Sequence, residues 1–143
     1  MNRKQNTEKC YCIGFRRAAR ALTVYYDRML LPSGLTVTQY SLLINLLRTA
    51  PCSTTALAQT MKLERTTLIR NIKPLSDARL IQDLSREGKR NRKLTLTKTG
   101  LAALKTARKL WKKAQAGLMR HTGKGELEKL MNTIDRLERL ARE

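Results

Sequence analysis

Residues 53–97 read STTALAQTMKLERTTLIRNIKPLSDARLIQDLSREGKRNRKLTLT. Ser53 or Thr54 suits the cap of a short helix reaching about Thr60, because a hydroxyl there accepts from an otherwise unpaired first-turn amide. Met61-Lys62-Leu63 supplies a turn. A second helix then spans Glu64 to about Ala78, with Leu68, Ile72 and Leu75 at core-facing spacing. Pro74 removes the bond to the carbonyl of Arg70 and predicts a kinked or loosened last turn. Leu80 to Leu84 and Lys93 to Thr97 read as strands. In the second, Leu94 and Leu96 alternate with Lys93, Thr95 and Thr97. Gly88 and Asn91 offer turn chemistry between them. Two short helices followed by a hairpin with a basic tip is the order of a winged helix-turn-helix.

The flanking sequence completes a mainly α fold with a small β-wing. Glu8 to Leu31 is helical in pattern. Ile13, Arg17, Arg20, Val24 and Arg28 fall on one side and Cys12, Phe15, Ala19, Leu22, Tyr26 and Met29 on a more apolar one. Pro32-Ser33-Gly34 ends it. Thr36 with Gln39 has capping-box spacing, opening a helix that is apolar nearly all round and therefore central. Ala50-Pro51 closes that helix. Thr97 caps a fifth helix whose stripe is Leu101, Leu104, Ala107, Trp111 and Leu118, and Thr122-Gly123-Lys124-Gly125 interrupts it. The last helix carries Leu127, Leu130, Met131, Ile134, Leu137 and Leu140. One domain over 1–143 is expected: a winged core over 36–100, a connecting helix over 98–120, and dimerisation helices over 8–31 and 124–142. The terminal helices have apolar stripes that their distance in sequence leaves unpartnered. A homodimer that packs them together buries that surface at roughly 1.5–3 kcal/mol per side chain. The alternative is that they fold back on their own core.

The charge points to the partner. The 143 residues carry 30 Lys and Arg against 11 Asp and Glu, a net +19 and a pI near 10.7. A polyanion is implied, double-stranded DNA before an anionic membrane. Aromatic residues make up only 4%, too few for recognition of single strands by base stacking. No apolar run reaches the roughly 18 residues of a membrane span, and MNRKQNTEK lacks a secretory core. Three cysteines with no CxxC pair are expected to be reduced thiols in a cytoplasmic, nucleoid-associated protein. Catalysis, a metal and a cofactor are not expected: His121, the one histidine, has no evident partner and suits a solvated helix end.

In a helix-turn-helix the N-terminal residues of the second helix reach base edges. That assigns Arg65 and Arg70 to guanine or phosphate, Thr66 and Thr67 to phosphate or a thymine methyl, and Lys73 to the backbone. Asn71 either reads adenine or sits at the core edge. The loop REGKRNRK contributes Arg86, Lys89, Arg90, Arg92 and Lys93 with one acid, Glu87. A basic tip of this kind suits a narrow minor groove.

RRAARALTVYYDRML, GLTVTQYSLL, LAQTMKLERTTLIRNIKPL, ARLI and KLTLTKTG, in that order and spacing, resemble the MarR family of transcriptional regulators over nearly the whole chain. The resemblance implies an obligate dimer joined by its first and last helices, a pseudo-palindromic operator, and a crevice between the dimerisation helices and the DNA-binding lobe. Tyr26, Tyr40 and Trp111 are the residues to inspect there. Wings of the family commonly carry an Asp two residues before the tip arginine. Here the positions are Gly88 and Arg90, which predicts a looser tip. CIGFRRAARALTVYY is also similar to the organic-hydroperoxide-sensing branch, with Cys12 at the reactive cysteine and Tyr26 at a tyrosine that holds the thiolate across the dimer. Arg16 replaces the second tyrosine. A neighbouring Arg favours the thiolate, and oxidation would reshape the interface. Otherwise Cys12 is a small buried residue between helices.

Two functions fit: a sequence-specific regulator, a repressor released by a small ligand or by thiol oxidation, and an effector-independent architectural DNA-binding protein.

Overall fold

The computed structural model describes residues 9–85 and 92–143. Six helices follow in order: α1 Tyr11–Leu30, α2 Val37–Thr49, α3 Thr54–Thr60, α4 Arg65–Asp77, α5 Lys98–Thr122 and α6 Lys124–Leu140. Strands β1 Ile81–Asp83 and β2 Leu94–Leu96 stand between α4 and α5.

Local chemistry sets these boundaries. The side chain of Thr36 accepts from the amide of Gln39, and the side chain of Gln39 accepts from the amide of Thr36, a complete capping box for α2. Ser53 rather than Thr54 caps α3; Thr54 lies inside the first turn and is buried. The Thr97 hydroxyl caps α5 by accepting from Gly100 N at 3.0 Å. After α1, the short 3₁₀ turn Leu31–Ser33 ends at Gly34 with φ +76°, a value glycine adopts without cost.

The turn of the helix-turn-helix is a left-handed cap. Lys62 has φ +53°, and Leu63 N reaches back to Ala58 O at 2.9 Å. α4 ends the same way, with Arg79 at φ +57° and Leu80 N on Leu75 O at 2.9 Å. A non-glycine residue in this region is uncommon, and both turns are held by these backbone bonds. The expected loosening at Pro74 is not found. α4 runs through Pro74 to Asp77, and Ala78 N closes on Pro74 O at 3.0 Å. Pro74 deletes one amide near the end of the helix, and the following cap closes that last turn.

β1 and β2 pair antiparallel with Ile81 opposite Leu96 and Asp83 opposite Leu94. Cys52 joins them from the α2–α3 connection, exchanging backbone bonds with Leu94 at 3.2 and 2.8 Å. The wing is thereby anchored to the helical core on a third segment. That core gathers Leu30 from α1, Leu42, Leu43 and Leu46 from α2, Leu57 from α3, Leu68, Ile72 and Leu75 from α4, Ile81, Leu94 and Leu96 from the sheet, and Leu104 and Ala107 from α5.

One expectation changes. Leu101 does not belong to the buried stripe of α5 and is 44% exposed. Of the two alternatives for the terminal helices, folding back on the core holds only at the end of α1, where Tyr26 and Leu30 are buried and Leu30 joins the core; α6 has no buried residue. Among the described residues, no single helix is long and apolar enough to cross a membrane.

Candidate nucleic-acid interface

The buried positions of α4 recur at three- and four-residue spacing, so one face of the helix is fixed to the core. What remains faces outward. Arg65, the first residue of the helix, is exposed, as are Thr66, Arg70 and Lys73; Thr67 and Asn71 are half-buried. For Asn71 this is the core-edge position, on the flank of the exposed face. The Nζ of Lys73 lies 3.0 Å from the carboxylate of Asp77 one turn on, an exposed pair of modest worth.

Arg92 stands exposed just before β2. Arg86, Lys89 and Arg90 lie outside the described residues, as do Glu87 and Gly88. The base of the wing holds an acid that the motif reading missed. Asp83 Oδ1 accepts from Ser85 N at 2.9 Å, from Ser85 Oγ at 2.6 Å and from Lys93 N at 3.0 Å. Partial burial pushes its carboxyl up, but these hydrogen bonds and the nearby Arg92 outweigh it and hold the group below the ordinary value. The available signal was the Asp-x-Ser spacing of an Asx turn. Leu84 N on Lys93 O at 2.8 Å continues the pairing past the ladder.

Cys12 and Arg16 stand apart from Tyr26, Tyr40 and Trp111; Tyr26 meets α5 at Gln115, and Tyr40 meets it one turn earlier at Trp111. Cys12 and Arg16 lie one turn apart near the start of α1, and both are exposed. Cys12 is thus not buried between helices of its own chain. Tyr26 is 14 residues further on, about 21 Å along the helix axis, and its hydroxyl bonds to Oε1 of Gln115 on α5. Burial raises its pKa, and the neighbouring Tyr25 adds to the shift. Cys12 and Tyr26 therefore do not meet within one chain. Tyr40 and Trp111 stack in the core with ring centroids 5.7 Å apart. Burial raises the Tyr40 pKa as well, partly offset by the charges of Arg108 and Arg48. An open groove of 730 Å³ lies elsewhere, between the first half of α1 and α6, lined by Cys10, Ile13, Phe15, Leu22, Leu130 and Ile134 among others.

Among the described residues, no group of three His, Cys, Asp or Glu could hold a metal. His121 is exposed in the last turn of α5.

No protein-family model and no curated protein matches the sequence. Solved structures do. The Mycobacterium tuberculosis transcriptional regulator MosR in complex with DNA is 35% identical, with a TM-score of 0.83 over 94% of this chain and 97% of that one. A second MosR structure aligns over the same shares at 0.76. The transcriptional repressor CouR bound to a 23-mer DNA duplex is 21% identical, with a TM-score of 0.82 over 96% of this chain and 99% of that one. A regulator of the MarR family from Rhodococcus is 19% identical, at 0.72 over 92% and 96%. At these lower identities the likeness is one of fold; the MosR match adds sequence to it over nearly the full length of both chains. The chain belongs to the MarR family of winged helix-turn-helix transcriptional regulators.

Proposed function

We propose that this protein is a homodimeric, sequence-specific double-stranded DNA-binding transcriptional regulator acting on a pseudo-palindromic operator. The observation that carries the reading is the division of α4. Leu68, Ile72 and Leu75 fix it to the core, while Arg65, Thr66 and Arg70 stand free on the outer face immediately before an anchored β-wing. MosR and CouR, which share this fold, are both described in complex with DNA. The exposed side chains at the start of α4 have the donors for guanine edges and phosphates. Arg92, with Arg86, Lys89 and Arg90, supplies the minor-groove contact.

The dimer is argued from the terminal helices. Ile13 on α1 and Met131 and Leu140 on α6 are 50%, 55% and 65% exposed in the single chain. A second copy is the economical cover for such surface. It would also set the distance between the two recognition helices, which must be about 34–36 Å to enter successive major grooves. A repressor of this build is released by anything that prefers another spacing. The exposed Cys12, with Arg16 one turn away, is the candidate thiol. A small ligand in the crevice near Tyr26, Tyr40 and Trp111, between the dimerisation helices and the DNA-binding lobe, is the other route.

The test is footprinting on the DNA upstream of its own gene and on selected random duplexes. A discrete two-fold site, lost in the double variant Arg65→Ala/Arg70→Ala, supports the reading; uniform coverage with no preferred site overturns it. Operator affinity of reduced, peroxide-treated and Cys12→Ser protein decides the release mechanism. Peroxide without effect on the wild type removes the thiol route.

A further inference from the structure

The helix-turn-helix accounts for few of the 30 Lys and Arg. A large share of the rest lies on α5, whose 25 residues contain no Asp or Glu. Lys98, Lys105, Lys109, Lys112, Lys113 and Arg120 are all exposed. At about 100° per residue these six fall within an arc of about 100°. Gly100, Leu104, Ala107 and Ala114, the buried residues of α5, occupy the opposite side. From Lys98 to Arg120 the row is about 33 Å long, close to one turn of duplex DNA. Among the described residues the ion pairs are Lys62–Glu138, Lys73–Asp77 and Lys129–Glu126, and none involves this row.

We propose that the outer face of α5 is a second duplex-DNA surface, separate from the recognition helix and the wing, that holds the phosphate backbone of a second DNA segment without reading its sequence. A row of like charges, with no carboxylate beside it among the described residues, repels itself in the free protein and gains beside a polyanion, where each neutralised phosphate releases a condensed counterion. A second copy of this chain does not supply the complement. α6, the helix with most acids, sets Glu126, Glu128, Asp135 and Glu138 against Lys124, Lys129, Arg136 and Arg139. A membrane surface fits less well, because an interfacial helix buries an apolar face in lipid and that face of α5 is already packed in the core. Single-stranded nucleic acid fits less well too. Stacking platforms are aromatic, and Trp111, the aromatic residue of α5, is stacked on Tyr40.

The experiment compares the full-length protein with Lys105→Gln/Lys109→Gln/Lys112→Gln/Lys113→Gln and with the same four positions changed to Arg. Binding to a 40-base-pair duplex of arbitrary sequence is titrated between 50 and 200 mM KCl. In parallel, protein saturating a bead-tethered duplex is tested for capture of a second, labelled duplex. Expected for the Gln variant is a salt slope shallower by about two to four, at roughly 0.9 for each phosphate no longer neutralised, and at least a tenfold loss of second-duplex capture. The Arg variant restores both. An unchanged slope and unchanged capture overturn the proposal. So does a Gln variant that sediments as a monomer, since the row would then be a protein interface. Wild-type binding to phosphatidylglycerol vesicles that depends on the row, with DNA capture unaffected, also overturns it. Arg65→Ala/Arg70→Ala distinguishes this surface from the recognition helix. That variant loses operator preference and keeps the part of the salt slope that depends on α5, whereas a failure of the helix-turn-helix reading leaves the α5 measurements standing.

Discussion

Lys62 Nζ lies 2.8 Å from Glu138 Oε2. The pair joins the left-handed turn between α3 and α4 to the end of α6, linking the segment that aims the recognition helix to a helix proposed to form the dimer. The Lys62 ammonium, bonding and attracting it, lowers the Glu138 pKa, with a further small contribution from Arg142. Both side chains are about half exposed or more, so the pair adds little to stability. Its value is geometric. Glu138→Gln should leave the melting temperature nearly unchanged while reducing the ratio of operator to random-duplex affinity severalfold, measured by fluorescence anisotropy. If Lys62→Ala adds nothing to Glu138→Gln in a double-mutant cycle, the two act as one strut. Equal ratios in wild type and Glu138→Gln would remove this role.

The outer face of α4 divides into reading and holding positions. Arg65→Ala should cost about 1–3 kcal/mol at a guanine position and flatten the base preference there. Lys73, a little over two turns further along and paired with Asp77, should weaken every sequence alike when changed to Ala, with a salt slope smaller by about one. Selection from a randomised operator checks the first, and salt titrations on fixed duplexes check the second. Identical selected motifs for wild type and Arg65→Ala would refute the assignment.

Asp83 supports the wing, and its titration sets a direction with pH. The folded carboxyl is held below its ordinary value. Its contribution is therefore complete above the ordinary carboxylate range, about 4, and disappears as pH falls through the lower folded value. From neutral pH down to about 5 the amides of Ser85 and Lys93 should exchange slowly, and below 4 they should lose protection together. Asp83→Asn should give the fast-exchange pattern already at pH 7 while the helical core keeps its protection. Slow exchange at Lys93 in that variant would show that the strand ladder suffices.

Gly100 is a packing constraint of another kind. A Cβ on it would run into the backbone carbonyl of Leu80. Leu80 O in turn accepts from Thr97 N at 3.0 Å, and the Thr97 hydroxyl donates to Arg79 O at 2.7 Å. The start of α5 is thus pressed onto the chain where it enters β1. Gly100→Ala should destabilise by about 1–3 kcal/mol, as overpacking does, despite the better helix propensity of Ala. Thermal unfolding measures it; a raised melting temperature would mean that α5 shifts freely.

Much of this was legible in the sequence because it is local. The cap residues Thr36, Ser53 and Thr97, the periodicity of Leu68, Ile72 and Leu75, and the alternation of Leu94 and Leu96 each depend on a few neighbouring residues. What was not legible is what depends on distant segments meeting. Nothing near Lys62 announces Glu138, and nothing near Gly100 announces the carbonyl of Leu80. Cys52 reads as a loop cysteine until its backbone is found paired with Leu94. Cys12 and Tyr26, about 21 Å apart along one helix, are expected to meet only across a dimer, and the contact proposed between them needs a second chain.

That second chain is the basis of the last prediction. Met131 on α6 is 55% exposed and Ile13 on α1 50%, while Leu130 and Ile134 line the groove against α1. An aspartate at Met131 places a charge where the partner would exclude water, and leaving it unpaired there is costly. Because α6 has no buried residue in the single chain, the same change does no harm to the folded protomer. Met131→Asp should therefore sediment as a monomer with unaltered circular dichroism at 222 nm. It should also lose operator affinity by two orders of magnitude or more, since each half-site then binds alone. Weak binding to an isolated half-site should survive, because α4 and the wing are untouched. A variant that stays dimeric by sedimentation, or a monomer that binds the full operator as tightly as the wild type, would contradict a dimer built on these helices.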